Sequence, residues 1–599
     1  MKKKYLLFLI MIFCYLGLRY YHFDTSNHTE IPAIRHSNDK SHLKNDFIIK
    51  EVYDKPNLRT FYVFFFSVLS EIFSLRLSFF LVFFLCVFLI INYSFKSAKI
   101  VTNNNNRLSY IISFLVLFSA DFNLGGNNIL SSPTMFPSRI AFTFIIISIY
   151  YLLKKNYVFS YFLFGIGSFF HIQYIYQALA VLSLALVLTN GVKTIKKLLV
   201  PFFVFFIVSF FPSCIAFINQ IKQSGTDALY IYGWVRAPKH FLFSHFDFIS
   251  YFEFIAFLII FLISIKYSNN LNKSFKKLSF FTMIILLFLS FFYIIFTEII
   301  PIEFVMKLQV FRISTVYQYF ALFFIGNYFF KKLRSNLIYY PLFLCFYFGW
   351  LVLIAFPIII VLEYQNKISN SIKTTISKMR RILFIIGLNE INFLLTIGCF
   401  GSIFGLILII INEYTDKLIL LYISKYVFWG IIGIYILYII MNESFKKNIA
   451  IFFILLLLLS FFTYVVNQRI YPKDEELYDV YAYIQKNTNE DSVFLINPKI
   501  SSFRMNARRA IFIDLKLFPL REDAMNEWMN RINIITNNAT YGFRENRGQI
   551  ISNKYNKLTT EKVLKICEKY NLDYVLVEKK HILNLELEYS NSKYSLYKI

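Results

Sequence analysis

The chain has 599 residues, 57% of them hydrophobic and 20% aromatic, with a mean hydropathy of +0.55. Those values recur block after block, which excludes a soluble globular or disordered protein and leaves a polytopic membrane protein. Lys and Arg number 62 against 35 acids, a formal charge of +27. The excess lies in short clusters between apolar runs, so it reads as membrane topology rather than nucleic-acid binding.

In chain order, Tyr5 to Phe23 is a first membrane-length run, and Lys2 to Lys4 hold the N-terminus in the cytoplasm. No small-residue cleavage site follows, so it is expected to be an uncleaved helix. The polar loop 24–60 then lies outside. Phe61 to Ser74 reads as a surface helix leading into a span from Leu77 to Tyr93, which returns to Lys96, Lys99 and Arg107. Leu108 to Ala120 exits, DFNLGGNNILSSPTMFPSR turns outside, and Ile140 to Leu153 returns. Tyr157 to Phe170 runs out to His171, and Tyr174 to Leu188 runs back. Leu198 to Ile218 exits into a second long outer loop, 219–248. Ile249 to Ile265 returns, Leu278 to Phe296 exits, and TEIIPIEFVMKLQVFR leads into a span ending at Lys331 and Lys332.

Leu337 to Leu362 joins two basic clusters that both read as cytoplasmic. It is either a re-entrant hairpin around Gly349 or a break in the charge rule. Spans at Asn392 to Ile411, Leu418 to Ile440 and Ile449 to Val466 complete residues 1–466, an all-α bundle of about 13–15 transmembrane helices. Residues 467–599 turn polar and suffice for one small extracytoplasmic domain. Helical stripes at Glu475 to Gln485, Asp523 to Ile535 and Glu561 to Tyr570 alternate with the strand-like SVFLINP, AIFIDL, DYVLVE and YSLYKI, which predicts an α/β fold.

Candidate chemistry clusters at the outer loops. The first carries IPAIRHSNDKSHLKNDFI, placing Asp39 and Asp46 on either side of a polar turn. A carboxylate against a low-dielectric wall can accept a hydroxyl proton or hold a divalent metal; the plain alternative is a solvated loop acid. The second loop carries VRAPKHFLFSH, with Arg236, Lys239, His240 and His245. Arg and Lys beside His suit the phosphate of a lipid-linked sugar, or an interfacial patch on lipid headgroups. In KLQVFR, Gln309 and Arg312 stand at the mouth of a span, where an arginine needs a partner: a phosphate, or Glu298 or Glu303. His171 ends an aromatic run and either lines a cavity or is structural. The six cysteines have no disulfide or metal-ligand spacing, and no P-loop, GxGxxG, GxSxG, HExxH or CxxC pattern occurs.

With those loop acids the chain resembles the GT-C superfamily of integral membrane glycosyltransferases, in which an acid of the first extracytoplasmic loop serves as base for the acceptor. It is also similar to a group of bacterial multi-pass proteins with a C-terminal α/β domain. Asn27, His28, Pro32, Arg35, Asp39, Asp46 and Phe47 fit that group's first loop, and Arg236, Pro238 and His240 fit its second, where Lys239 replaces a histidine. Gln309 and Arg312 fit a Gln-x-x-Arg. Phe503, Arg504, Arg509, Asp514, Lys516, Pro519, Trp528 and Arg531 fit its C-terminal domain, either binding a glycan or docking the domain on the bundle. The resemblance implies a plasma-membrane enzyme that moves a sugar from a polyprenyl-phosphate donor to a cell-envelope glycan or lipid acceptor on the outer face. Asp39 and Asp46 would be catalytic, and Arg236, His240, Gln309, Arg312 and His171 would bind substrate. The alternative is a non-catalytic protein of envelope polysaccharide assembly or lipid-linked glycan transport; charges at the ends of runs and the lack of an internal repeat favour the enzyme.

Overall fold

The computed structural model describes residues 8–9, 11–12, 15, 29–122, 124, 134–221, 230–333, 339–347, 349–364, 474–519, 522–539, 541 and 545–599. Most of the expected first helix, residues Asn27 and His28, and the three spans expected between Asn392 and Val466 lie outside these. Among the described residues five helices are long and apolar enough to cross a membrane, or six if Lys193–Val208 and Phe210–Ile218, bent by 64°, form one span. Large apolar side chains stay exposed along them at helical spacing, as at Leu77, Leu81 and Leu85, and at Phe280, Ile284 and Phe288. Continuous apolar faces of that kind require hydrocarbon, not water. The protein is an integral membrane protein: a polytopic helical bundle followed by a small α/β domain.

Polar residues mark where the helices begin and turn. Ser74, Asn105 and Asn156 accept hydrogen bonds from Leu77, Leu108 and Phe159 amides, capping Leu75–Val101, Asn106–Phe118 and Tyr157–Asn190. Asn103 and Asn104 take left-handed backbone in the first of these tight turns.

Tyr157–Asn190 is not one rod. At His171 the backbone leaves helical geometry (φ −154°, ψ 82°). The Tyr161 hydroxyl lies 2.6 Å from Ser183 Oγ, although 22 residues of straight helix would put them ~33 Å apart. The segment is therefore a hairpin with His171 at its tip, as the charge pattern predicts. The run after Lys332 also doubles back. Tyr339 and Glu363, its two ends, meet at 3.1 Å, and Lys332 pairs with Glu363 at 2.7 Å. Between them Gly349 takes φ +58° beside Ala120, at the opposite end of the bundle helix Asn106–Phe118. This is the re-entrant hairpin, and it brings its two ends together beside Lys332; the second basic cluster, Lys367 to Arg381, lies outside the described residues.

The C-terminal domain holds a five-stranded sheet, β1 (Val493–Leu495), β2 (Ala510–Ile511), β3 (Tyr574–Glu578), β4 (Glu586–Ser590) and β5 (Tyr594–Lys598), in the order β2-β1-β3-β5-β4. β1 is parallel to β2 and β3; β5 is antiparallel to β3 and β4. Alternation sends Phe494, Leu576 and Leu596 to one face, under Glu475–Asn487. Leu495, Val575, Val577 and Tyr597 go to the other, under Glu522–Thr536, Arg547–Tyr555 and Thr560–Tyr570. The second core continues beyond the domain: Leu43, Ile48, Ile49 and Val52 of the first loop and Ile231 and Val235 of the second belong to it. Domain and loops thus share one hydrophobic cluster and lie on one side of the bundle.

Candidate functional site

The expected site residues fall into two settings. Asp46 is fully buried in the seam between the first loop and the soluble domain. One of its oxygens accepts from the Ile48 and Ile49 amides at 3.0 and 3.1 Å. The other accepts from Arg504 Nε at 2.6 Å and the Ile511 amide at 3.0 Å. Arg504, itself buried, also binds Asp514, so one guanidinium is held between two carboxylates. Arg35 Nη1 donates to Met505 O at 2.7 Å, Lys44 pairs with Asp491 at 2.6 Å, and Arg531 lies over the Phe47 ring at 4.0 Å. The domain arginines at 504 and 531 dock it. Arg509 instead bonds to Thr488 and Gln485 inside the domain. Asp39 sits at the exposed tip, bound by the Ser41 hydroxyl at 2.6 Å and amide at 2.9 Å, and those bonds hold its carboxyl below the usual range.

The second setting is a cationic hollow where the loops, the bundle mouth and the domain meet. Arg59 closes the first loop and pairs with buried Glu30. Its guanidinium is enclosed by protein, yet 41% of its side chain remains accessible, which describes a cavity wall. Burial alone would lower it, but the Glu30 charge holds it above its ordinary value. Arg236 ends the π-helical turn Tyr230–Arg236; Nη2 donates to Lys516 O at 2.6 Å, and burial lowers its pKa. Burial and then the Arg236 charge lower Lys516, with Arg59 adding to the effect and Glu30 opposing it. Arg312 is within electrostatic reach of Arg59, and Tyr232 senses Arg312, Arg236 and Arg59 together. The hollow is thus lined from the first loop, the second loop, the bundle and the domain.

Local structure aims these groups. Gln309 takes left-handed backbone (φ 50°) between Glu303–Leu308 and the turn that carries Arg312. Its side chain is buried, Nε2 reaches the Tyr232 hydroxyl at 3.4 Å, and Oε1 has no hydrogen-bond partner. Gln173 and Gln177, just past the hairpin tip, donate to Lys307 O and Leu308 O, locking that turn against His171. His171 senses Arg312 and Arg59 and so belongs to the hollow. Glu303 pairs with Lys307, and Glu298 accepts from the Ser244 amide at 2.8 Å. Lys239 is exposed and paired with Asp247 at 2.7 Å, and His245 is buried against Trp234. His240 stands one turn past Arg236, on Pro238–Phe241. Among the described residues no three His, Cys, Asp or Glu side chains are grouped to hold a metal ion.

Arg236, Gln309, Arg312 and His171 are therefore brought together, whereas Asp39 and Asp46 are placed at the tip and in the seam. Arg59, Lys516 and Tyr232 complete the hollow. Asp121, at the start of the DFNLGG turn, lies within reach of Tyr174, which also senses Arg312. Sequence reasoning gave Arg59 no role and left Lys516 between glycan binding and docking; their position, not their pattern, assigns them here.

Residues 475–535 match a domain of unknown function, DUF6798. No curated protein matches the chain. Among solved structures, the crystal structure of ArnT from Cupriavidus metallidurans bound to undecaprenyl phosphate is similar, at 9% identity over 100% of this chain and 98% of that one, with a TM-score of 0.49. The segment that matches the domain model runs from the first helix of the soluble domain through β1 and β2 to the helix carrying Trp528, and it contains both Arg504 of the latch and Lys516 of the hollow.

Proposed function

We propose that the protein is a glycosyltransferase that takes a sugar from a polyprenyl-phosphate donor and passes it to a glycan or lipid acceptor on the face where loops and domain meet. The observation that carries this reading is that Arg59, Arg236 and Arg312 all lie within electrostatic reach of Tyr232, with Lys516 beside Arg236, at the mouth of an apolar bundle. Like charges gathered in a partly desolvated hollow repel one another, and an anion that bridges them relieves the repulsion. A lipid phosphate can reach such a place with its chain along the exposed apolar helices. The guanidinium groups would hold the phosphate and stabilise the charge it gains as the glycosidic bond breaks.

Three carboxylates are candidates for the base that takes the acceptor proton. Asp46 has both oxygens occupied by protein donors, Asp39 is exposed, and Asp121 lies within electrostatic reach of Tyr174, as Arg312 does. Asp121 is the first to test. Loss of a base costs on the order of 10²–10⁴ in rate.

The test uses full-length protein in nanodiscs, assayed together for donor binding, sugar transfer and melting. Arg312→Ala is expected to lose transfer more than donor binding, and Arg312→Lys to keep part of both, because an ammonium keeps the charge without the planar fork. Arg312→Ala that binds and transfers normally per folded molecule would return the residue to scaffold. Donor movement across the bilayer without transfer would identify a transporter instead.

A further inference from the structure

A cleft of about 550 Å³ opens between the second loop and the soluble domain, lined by Arg236, Lys239 and His240 on one wall and Asn546, Arg547 and Gly548 on the other. The domain wall is the start of the nine-residue helix Arg547–Tyr555, capped by Asn546, whose side chain accepts from the Gln549 amide. A helix start presents amide hydrogens and positive potential to whatever faces it. Independently, Arg547 is 9% exposed and its Nε has no hydrogen-bond partner. Arg236, across the cleft, also has a buried Nε without a partner. Buried donors of this kind are costly unless something accepts from them. The acids of the lining do not serve both arginines: Asp247 is paired with Lys239 at 2.7 Å, and Glu545 offsets part of the Arg547 charge. The volume exceeds that of a bare phosphate, and Phe246 and Phe248 add apolar faces of the kind a sugar ring packs against.

We propose that this cleft binds a saccharide through an oxyanion it carries, a sugar phosphate or a sugar carboxylate held by Arg547, Arg236 and the helix start. That this saccharide is the acceptor rests on the transferase reading; anion binding at the cleft does not.

The test is calorimetric titration of full-length protein in detergent with glucose 1-phosphate, glucuronate, glucose and inorganic phosphate. One of the two charged sugars is expected to bind more tightly than both glucose and inorganic phosphate, and which one does so decides between phosphate and carboxylate. Arg547→Gln should weaken it about tenfold or more, as loss of a charged hydrogen bond does. Gly548→Asp gives a second route that spares the fold. A Cβ there meets nothing closer than 3.6 Å, and an acid suits a helix start, yet its charge occupies the anion position. Charged sugars that bind no better than glucose or inorganic phosphate, or that bind undiminished to Gly548→Asp, overturn the proposal. Binding of a polyprenyl-phosphate-linked sugar to the unsubstituted protein is measured beside it. Absence of that binding overturns the transferase reading and leaves the cleft result standing.

Discussion

Two groups of cations, one buried and one partly exposed, lie close together above the bundle and differ in what surrounds them. Arg504 is held between Asp46 and Asp514, with backbone amides filling the remaining carboxylate positions. Arg59 pairs with Glu30, Arg236 feels the charge of Asp514, Lys516 feels both, and the three cations repel one another. The first arrangement sets a cation between opposite charges and fastens loop to domain. The second is an unbalanced charge in a hollow, and it invites an anion. The same residue type serves as scaffold or as binding group according to how many carboxylates stand beside it.

The comparison breaks most visibly at Arg504. Arg504→Ala leaves two buried carboxylates without their cation and is expected to cost about 3–5 kcal/mol. The measurements are an earlier melt in detergent and faster proteolysis at the seam. In the hollow the sign differs: Arg236→Gln together with Lys516→Gln removes mutual repulsion. That double variant should melt no earlier than the parent while losing about tenfold or more in donor-phosphate affinity. If it melts early with donor affinity intact, the two groups are alike and the hollow is scaffold.

A smaller effect follows from His42, which lies in the first loop near Arg35 and Arg508. Burial, then those two charges, push it down to about 4 from its ordinary 6.5. The unfolded chain therefore binds a proton that the folded seam excludes. The stability His42 contributes is full above about 6.5 and is lost as pH falls toward about 4. Melting temperature should decline through that window, and His42→Gln should flatten the decline. The smallest effect is at Asp39, where Asp39→Asn should leave the melting temperature nearly unchanged, as surface substitutions do. Any loss of transfer in that variant then belongs to chemistry, whereas a loss in Asp46→Asn is confounded with the latch.

Much of the bundle was legible in the sequence because basic clusters punctuate the apolar runs. The hairpin tip at His171 and the reversal at Gly349 both follow from requiring Lys and Arg on one side. Helices at 475–487, 522–536 and 560–570 were legible from their stripes. The polar helix RGQIISNKY and the edge strand ELEYS were not, since neither shows a buried period strong enough to stand out. The site was legible in part. Gln309 and Arg312 announce themselves at a membrane boundary, but the role of Asp46 is fixed by an arginine 458 residues away. No local pattern separates a latch from a base. Arg59 and Lys516 escaped for the same reason: each became a wall of the hollow through tertiary contacts.

The long interval between Asp46 and Arg504 also sets an order of events during synthesis. At roughly 5–20 residues per second the ribosome delivers Arg504 about 20–90 s after Asp46. Throughout that wait the first loop has its apolar side chains Ile48, Ile49 and Val52 without the domain core they later join. The hollow and the cleft acquire their domain walls, Lys516 and Arg547, later still. A nascent chain can thus be fully threaded through the bilayer and still lack every binding surface described here, and quality control that senses the uncovered loop would act on unfinished molecules before any of them meets substrate.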